Sequence, residues 1–140
     1  MKRVVGLWLV VFSVLLVSCT TKVALEEHTD AGSKYVLENG MTVITKENPD
    51  TGMVAIDLLV KRSLAADGSK PGLGHFTNRL LLTGTEKRTR EQIISDIESK
   101  GGDITARTFA EYAEILVEIP SEHVDVALDV LADVLLHSQI

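Results

Sequence analysis

Residues 72–89 read GLGHFTNRLLLTGTEKRT. Leu73, Phe76 and Leu80 recur at helical spacing, which predicts a helix over Leu73–Leu82 and sets His75, Asn78 and Arg79 within about one turn on adjoining faces. The stretch closes on Thr89, and Gln92 three residues later completes a capping box that opens a second helix over Arg90–Lys100. Ile93, Ile94 and Ile97 form the buried stripe of that helix, and Gly101 followed by Gly102 stops it.

Downstream, Asp103–Thr108 and Tyr112–Ile119 read as two strands. Ser121 after Pro120 is expected to cap a last helix that carries Val124, Ala127, Leu128, Leu131, Val134 and Leu135 on one face. Asp125, Asp129 and Asp133 then line the opposite, solvated face, and Glu111, Glu114 and Glu118 read as a solvated strand face. The Lys87-Arg88 and Arg90 cluster reads as a solvated loop. Upstream, Lys34–Leu37 and Met41–Lys46 flank Glu38-Asn39-Gly40, where an Asn-Gly step supplies the positive φ values of a tight hairpin. Met53–Ser63 (MVAIDLLVKRS) is apolar enough for an inner strand, and Ala65–Gly72 (AADGSKPG) breaks it. The order β-β-β-α-α-β-β-α, with a hairpin in each half, predicts an α+β fold in which an antiparallel or mixed sheet has its helices packed on one face.

With 140 residues and 45% hydrophobic side chains, the chain fits one small domain and is not globally disordered. Fourteen Lys and Arg against twenty Asp and Glu give a formal charge of −6, which argues against broad attraction to nucleic acid. The single cysteine excludes a disulfide framework and any zinc site built on two thiolates, leaving four His as candidate ligands. His28 lies in a tether and His123 and His137 at opposite ends of the last helix, so no spacing gathers a second ligand beside His75.

The N-terminus carries a processing signal. Lys2 and Arg3 form a positive n-region, and Val4–Val17 is an uncharged apolar run too short to span about 30 Å of hydrocarbon comfortably. Leu16-Val17-Ser18-Cys19 resembles a bacterial lipobox, so residues 1–18 read as a lipoprotein signal peptide and Cys19 as the lipidated new N-terminus. The alternative is an uncleaved anchor with an incidental cysteine. Residues 19–33 lack a sustained period and read as a tether to a domain over 34–140. Thr20, rather than Asp, after the cysteine resembles lipoproteins sorted to the outer membrane, which implies a bacterial cell envelope location facing the periplasm.

Four segments in order carry a family resemblance: LENGMTVI at 37–44, GLGHFTNRLLLTGTEKRT at 72–89, IESKGGDITARTFAEYAEI at 97–115 and ALDVLADVLLHSQI at 127–140. Together they resemble the N-terminal half-domain of the pitrilysin and insulinase family of inverted-motif zinc peptidases, which includes the mitochondrial processing peptidase. The family's site is H-x-x-E-H, in which two His four residues apart bind zinc and the Glu between them activates the metal-bound water. The matching residues here are His75-Phe76-Thr77-Asn78-Arg79. His75 keeps the first ligand position, Asn78 stands for the catalytic Glu and Arg79 for the second His. An amide is no base near neutral pH, and a guanidinium has no lone pair for a metal. The resemblance puts the third ligand, a Glu, on a helix further downstream than Ile140.

The resemblance therefore implies a degenerate, non-catalytic member with no zinc of its own, zinc being the cofactor of active relatives. It also implies a peptide-binding edge strand at Thr105-Ala106-Arg107-Thr108, where β-addition relies on backbone groups. The expected role is a membrane-anchored partner that helps an active zinc metalloendopeptidase subunit hold peptides, with no nucleic acid involved. Two alternatives stay open: the N-terminal fragment of a zinc-dependent metalloendopeptidase, and a truncated product without independent function. The apolar face of the last helix, kept to Leu135, Leu136 and Ile140, calls for a partner or for further chain to cover it.

Overall fold

The computed structural model describes residues 23–29, 32–61 and 67–140, which fall into two compact units divided between Asn48 and Pro49. The signal segment, Cys19 and the first tether residues lie outside the described residues, as do 62–66 of the expected Met53–Ser63 strand and of the break that follows it.

The first unit holds an antiparallel three-stranded sheet in the order β1 (Val23–Thr29), β2 (Gly32–Leu37), β3 (Thr42–Thr45). Much of the expected tether is thus a strand. Glu26, Glu27 and His28 pair with Tyr35, Lys34 and Ser33, and all of β1 is exposed. Backbone pairing, not side-chain burial, makes this strand, so the hydropathy pattern carries no sign of it. The β2–β3 hairpin forms as expected, with a correction at its turn. Val36 pairs with Thr42, and in the Asn39-Gly40 step only Gly40 has a positive φ, of 84°. Gly40 N–H donates to Leu37 O at 2.9 Å and Leu37 N–H to Met41 O at 2.9 Å, giving a three-residue turn closed by a glycine bulge.

The second unit is built on an antiparallel sheet in the order β4 (Met53–Lys61), β6 (Tyr112–Pro120), β5 (Asp103–Thr108). The fold is α+β with antiparallel sheets, as expected, although the strands divide between two sheets where the sequence suggested one. On β6, Ala113, Ile115, Val117 and Ile119 alternate inward, and register sets Ile104 and Ile56 on either side of Val117. Helices α2 (Arg90–Glu98) and α3 (Val124–His137) complete the core with Ile93, Ile97, Ala127, Val130, Leu131 and Val134.

Helix α2 starts and stops as its sequence dictates. Thr89 Oγ1 accepts from Gln92 N–H at 3.3 Å while Gln92 Oε1 accepts from Thr89 N–H at 2.8 Å. At the other end Gly101 turns left-handed with φ 78°, its N–H donating to Glu98 O and that of Gly102 to Ile97 O. These two bonds make a Schellman stop. Gly102 also lets the chain pass close to the sheet, since a Cβ there would lie 2.6 Å from Glu118 O and 2.9 Å from Ile97 Cγ2. Ile94, expected in the buried stripe, is only half-buried.

Helix α3 departs from expectation at its start and on its acidic face. Ser121 opens a short 3₁₀ turn to His123 and caps nothing with its side chain. Leu128 and Leu135 are exposed, whereas Asp133, expected on the solvated face, is only 3% exposed. The Asp133 carboxylate accepts from Thr85 Oγ1 at 2.7 Å and from Arg88 Nη1 at 2.7 Å. Arg88, expected in a solvated loop, also donates from Nε to Asp96 at 3.0 Å and from Nη2 to Asp129 at 2.5 Å. One guanidinium thereby joins α2 to α3. The Arg88 pKa is raised further, chiefly by the Asp133 hydrogen bond, and the Asp133 carboxyl is held below the usual carboxylate range, first by the Thr85 hydroxyl and then by Arg88. His137 is half-buried with Nδ1 3.2 Å from Asp133 Oδ1.

Candidate functional site

The five residues expected to match the family's motif, His75 to Arg79, lie on α1 (Leu73–Leu80), which continues into a 3₁₀ turn over Leu81–Thr83. The start of α1 is satisfied from outside the helix: Asp67, buried, accepts from Gly72 N–H at 2.9 Å and Gly74 N–H at 3.1 Å. A carboxylate on the first N–H groups meets both their unpaired donors and the positive end of the helix dipole. Asp67 lies five residues ahead of Gly72, outside the spacing of a capping box, so the sequence signal for this cap is absent.

The helix is mounted in an unexpected orientation. Its buried residues are Gly74 and Asn78, while Leu73 is 50% exposed and Phe76 65%. The small and polar side faces the sheet, and the apolar stripe faces away from it. Asn78 makes this possible. Its Nδ2 donates to Arg107 O at 2.7 Å, and lies 3.3 Å from both Thr108 Oγ1 and Glu114 O. One amide thus ties α1 to the end of β5 and to its neighbour β6. A Glu in the same place would set a carboxylate against two carbonyl oxygens, acceptor against acceptor.

The three motif residues do not converge. His75 is exposed, with its ring edge-on to Phe76 at a centroid distance of 5.8 Å. Arg79 is exposed and enters no ion pair among the described residues. The donor set does not fit zinc: only His75 offers an imidazole nitrogen, Asn78 is a neutral amide whose Nδ2 is spent on carbonyls, and Arg79 is a fixed cation. Among the described residues no group of three or more His, Cys, Asp or Glu is placed to hold a metal ion.

Thr105-Ala106-Arg107-Thr108 lies in β5, at the edge of the β4-β6-β5 sheet among the described residues. Phe109 N–H donates to Tyr112 O at 2.8 Å, which by antiparallel alternation makes Arg107 and Thr105 the residues bonded to β6. Ile104, Ala106 and Thr108 therefore turn their backbone N–H and C=O outward. On the sheet face away from the helices, Arg107 Nη1 stands 3.7 Å from Glu114 Oε2 of the directly opposite residue. Glu114, expected to be solvated, is largely buried there, with a side chain 14% exposed. Thr105 Oγ1 is shielded and has no hydrogen-bond partner among the described residues.

Comparison with known proteins agrees with this architecture. The family model described as insulinase (Peptidase family M16) matches residues 42–140. An uncharacterized zinc protease of Rickettsia felis is 35% identical over 103 residues, covering 73% of this chain and 25% of that protein. The mitochondrial-processing peptidase subunit beta of Saccharomyces cerevisiae is 30% identical over 103 residues, covering 73% of this chain and 22% of the relative. A crystal structure of a peptidase M16 inactive domain from Pseudomonas fluorescens superposes with a TM-score of 0.67 at 20% identity, over 82% of this chain and 26% of that one. The chain spans about a quarter of the length of these curated relatives. From the ordered strand and helix signals, the edge strand beside α1 and the match over residues 42–140, the chain belongs to the insulinase family, Peptidase family M16.

Proposed function

We propose that this protein is a non-catalytic member of its family that holds extended peptides along β5 for an active zinc metallopeptidase partner. The observation that carries this reading is Asn78. The residue in the place of the catalytic base is buried and bonded to the edge strand, so it supports the backbone geometry of β5 instead of facing a water molecule. Outward N–H and C=O groups at Ile104, Ala106 and Thr108 are the groups that β-addition uses, and they need no particular side chain. Two of the similar proteins favour the same reading: one is named as a subunit of a processing peptidase, the other as an inactive domain. Lipidation at Cys19 would hold the domain on the periplasmic side of the outer membrane.

The test has three parts. The purified full chain is expected to carry no stoichiometric zinc and to cleave no fluorogenic peptide with or without chelator. It is expected to bind extended peptides saturably by fluorescence anisotropy. Ala106→Pro, which removes an outward N–H and leaves the β6 ladder alone, should weaken that binding. Palmitate-analogue label should enter the wild-type chain and not Cys19→Ala. The competing reading, the front of an active zinc metalloendopeptidase, draws on the name of the Rickettsia felis relative. Chelator-sensitive cleavage by the wild-type chain would establish it and sink ours.

A further inference from the structure

Strand β5 is charged with opposite signs at its two ends. Asp103, Thr105 and Arg107 alternate with the residues that turn toward the helices, so all three share the sheet face away from them. Asp103 and Arg107 are both exposed and stand about 13 Å apart along the strand, with the neutral Thr105 between them. The residue of β6 directly opposite Asp103 is Glu118, also exposed, and neither carboxylate enters an ion pair among the described residues. The residue opposite Arg107 is Glu114, whose Oε2 lies 3.7 Å from Nη1, too far for a hydrogen bond, and has no hydrogen-bond partner among the described residues. The guanidinium, 57% exposed, therefore still has its N–H groups to give. One end of the edge strand shows two unpaired carboxylates, and the other a cation that is only partly offset.

A strand added antiparallel to β5 makes its hydrogen-bonded pairs with Ile104, Ala106 and Thr108, whose backbone groups turn outward. Its residues opposite Asp103 and Arg107 then fall in non-hydrogen-bonded pairs, where Cα atoms are about 4.5 Å apart and side chains meet most closely. Parallel addition offers no such close pairs and is slightly less stable per residue. We propose that β5 selects extended peptides that carry Glu or Asp and, four residues later, Lys or Arg, bound antiparallel with the carboxylate facing Arg107 and the cation facing Asp103 and Glu118. The inference rests on the peptide-holding reading and gives it a substrate class: the backbone of β5 holds an extended strand, and the two charged ends choose its sequence and direction. The cationic position of the peptide contributes more, because it meets two unpaired carboxylates, whereas Arg107 already leans on Glu114. Charges on an edge strand also discourage pairing with other strands. That role alone would not distinguish one order of peptide charges from the other.

Fluorescence anisotropy of the full chain in a mild non-ionic detergent at low salt tests this with four labelled peptides. They share one Thr- and Val-rich sequence and differ only at two positions four residues apart: Glu then Lys, Lys then Glu, Glu then Glu, and Gln then Gln. The Glu-then-Lys peptide should bind about tenfold more tightly than its reverse, and the difference should shrink to about twofold in 1 M salt. Asp103→Lys should turn the choice around, so that Glu-then-Glu binds more tightly than Glu-then-Lys. Arg107→Gln should weaken the Glu-then-Lys peptide by only about threefold. Both positions are exposed, and far-UV circular dichroism checks that each variant folds. Equal affinity for the two charge orders, or an unchanged choice in Asp103→Lys, would overturn the inference while saturable binding of the Gln-then-Gln peptide left the peptide-holding role standing. Failure of all four peptides to bind saturably would overturn that role and this inference with it.

Discussion

Helices α1 and α2 belong to the same unit, and they are held in opposite ways. Helix α2 buries Ile93 and Ile97 completely and closes both ends with its own residues, a capping box at Thr89 and a glycine stop at Gly101. Helix α1 buries Gly74 and Asn78, shows its leucines and phenylalanine outside, and takes its cap from Asp67. The first is fixed by apolar burial, which is non-directional and tolerant. The second is fixed by a few directional hydrogen bonds to named carbonyls, which leave its apolar face exposed among the described residues. Helix α1 is thus held by Asn78, the residue that the family resemblance sets in the place of the catalytic base.

The sharpest way to break this contrast is truncation on each helix. Ile97→Ala should cost about 2–5 kcal/mol in chemical denaturation, because a fully buried side chain leaves a cavity beside Gly102. Phe76→Ala, at a 65% exposed side chain, should stay within about 0.5 kcal/mol of wild type. Equal costs at the two positions would mean that α1 is packed like α2.

Next in size is Arg88→Ala, which strands the buried Asp133 without its cation; its cost should fall between that of Ile97→Ala and that of a lost helix cap. The same pair sets an acid limit. The Asp133 carboxyl is held below its ordinary value of 3.8, so its stabilising contribution is complete above that value and is lost as pH falls through the lower folded pKa. Urea midpoints measured downward from pH 5 should therefore fall less steeply in Asp133→Asn than in wild type.

Asn78→Glu should cost about 1–3 kcal/mol, because two carbonyls lose their donor and face a carboxylate. The pair Asn78→Glu with Arg79→His rebuilds the five-residue motif and should still show no chelator-sensitive peptide cleavage in a fluorogenic assay. Gain of activity would show that α1 tolerates the inverted motif, contrary to the hydrogen bonding seen here. Thr89→Ala should cost about 1 kcal/mol in the same denaturation experiment, since only the cap of α2 is lost.

The candidate site was partly legible. Asn78 and Arg79 stand out once residues 72–89 are aligned by resemblance, because the chemistry of an amide and a guanidinium is readable from their names. Where Asn78 points was not, because its acceptors, Arg107 O and Glu114 O, lie 29 and 36 residues away. Asp125, Asp129 and Asp133 share a helical repeat, and nothing local distinguishes Asp133; its burial depends on Arg88, 45 residues earlier. The exposed strand β1 was missed for a related reason, since its pairing with β2 leaves no apolar alternation.

The amino-acid sequence by itself determined the short-range devices: the Thr89 capping box, the Gly101-Gly102 stop, the glycine-closed hairpin at Gly40 and the alternation along β6. Each is a bond or a packing choice completed within a few residues, so local chemistry suffices. Tertiary structure alone decided which side of α1 faces inward, which aspartate of α3 is buried and which strand forms the edge beside Asn78. A helical period states that a face is apolar but not what it meets, and a buried donor or charge is settled only by partners that the folded chain brings from far along the sequence.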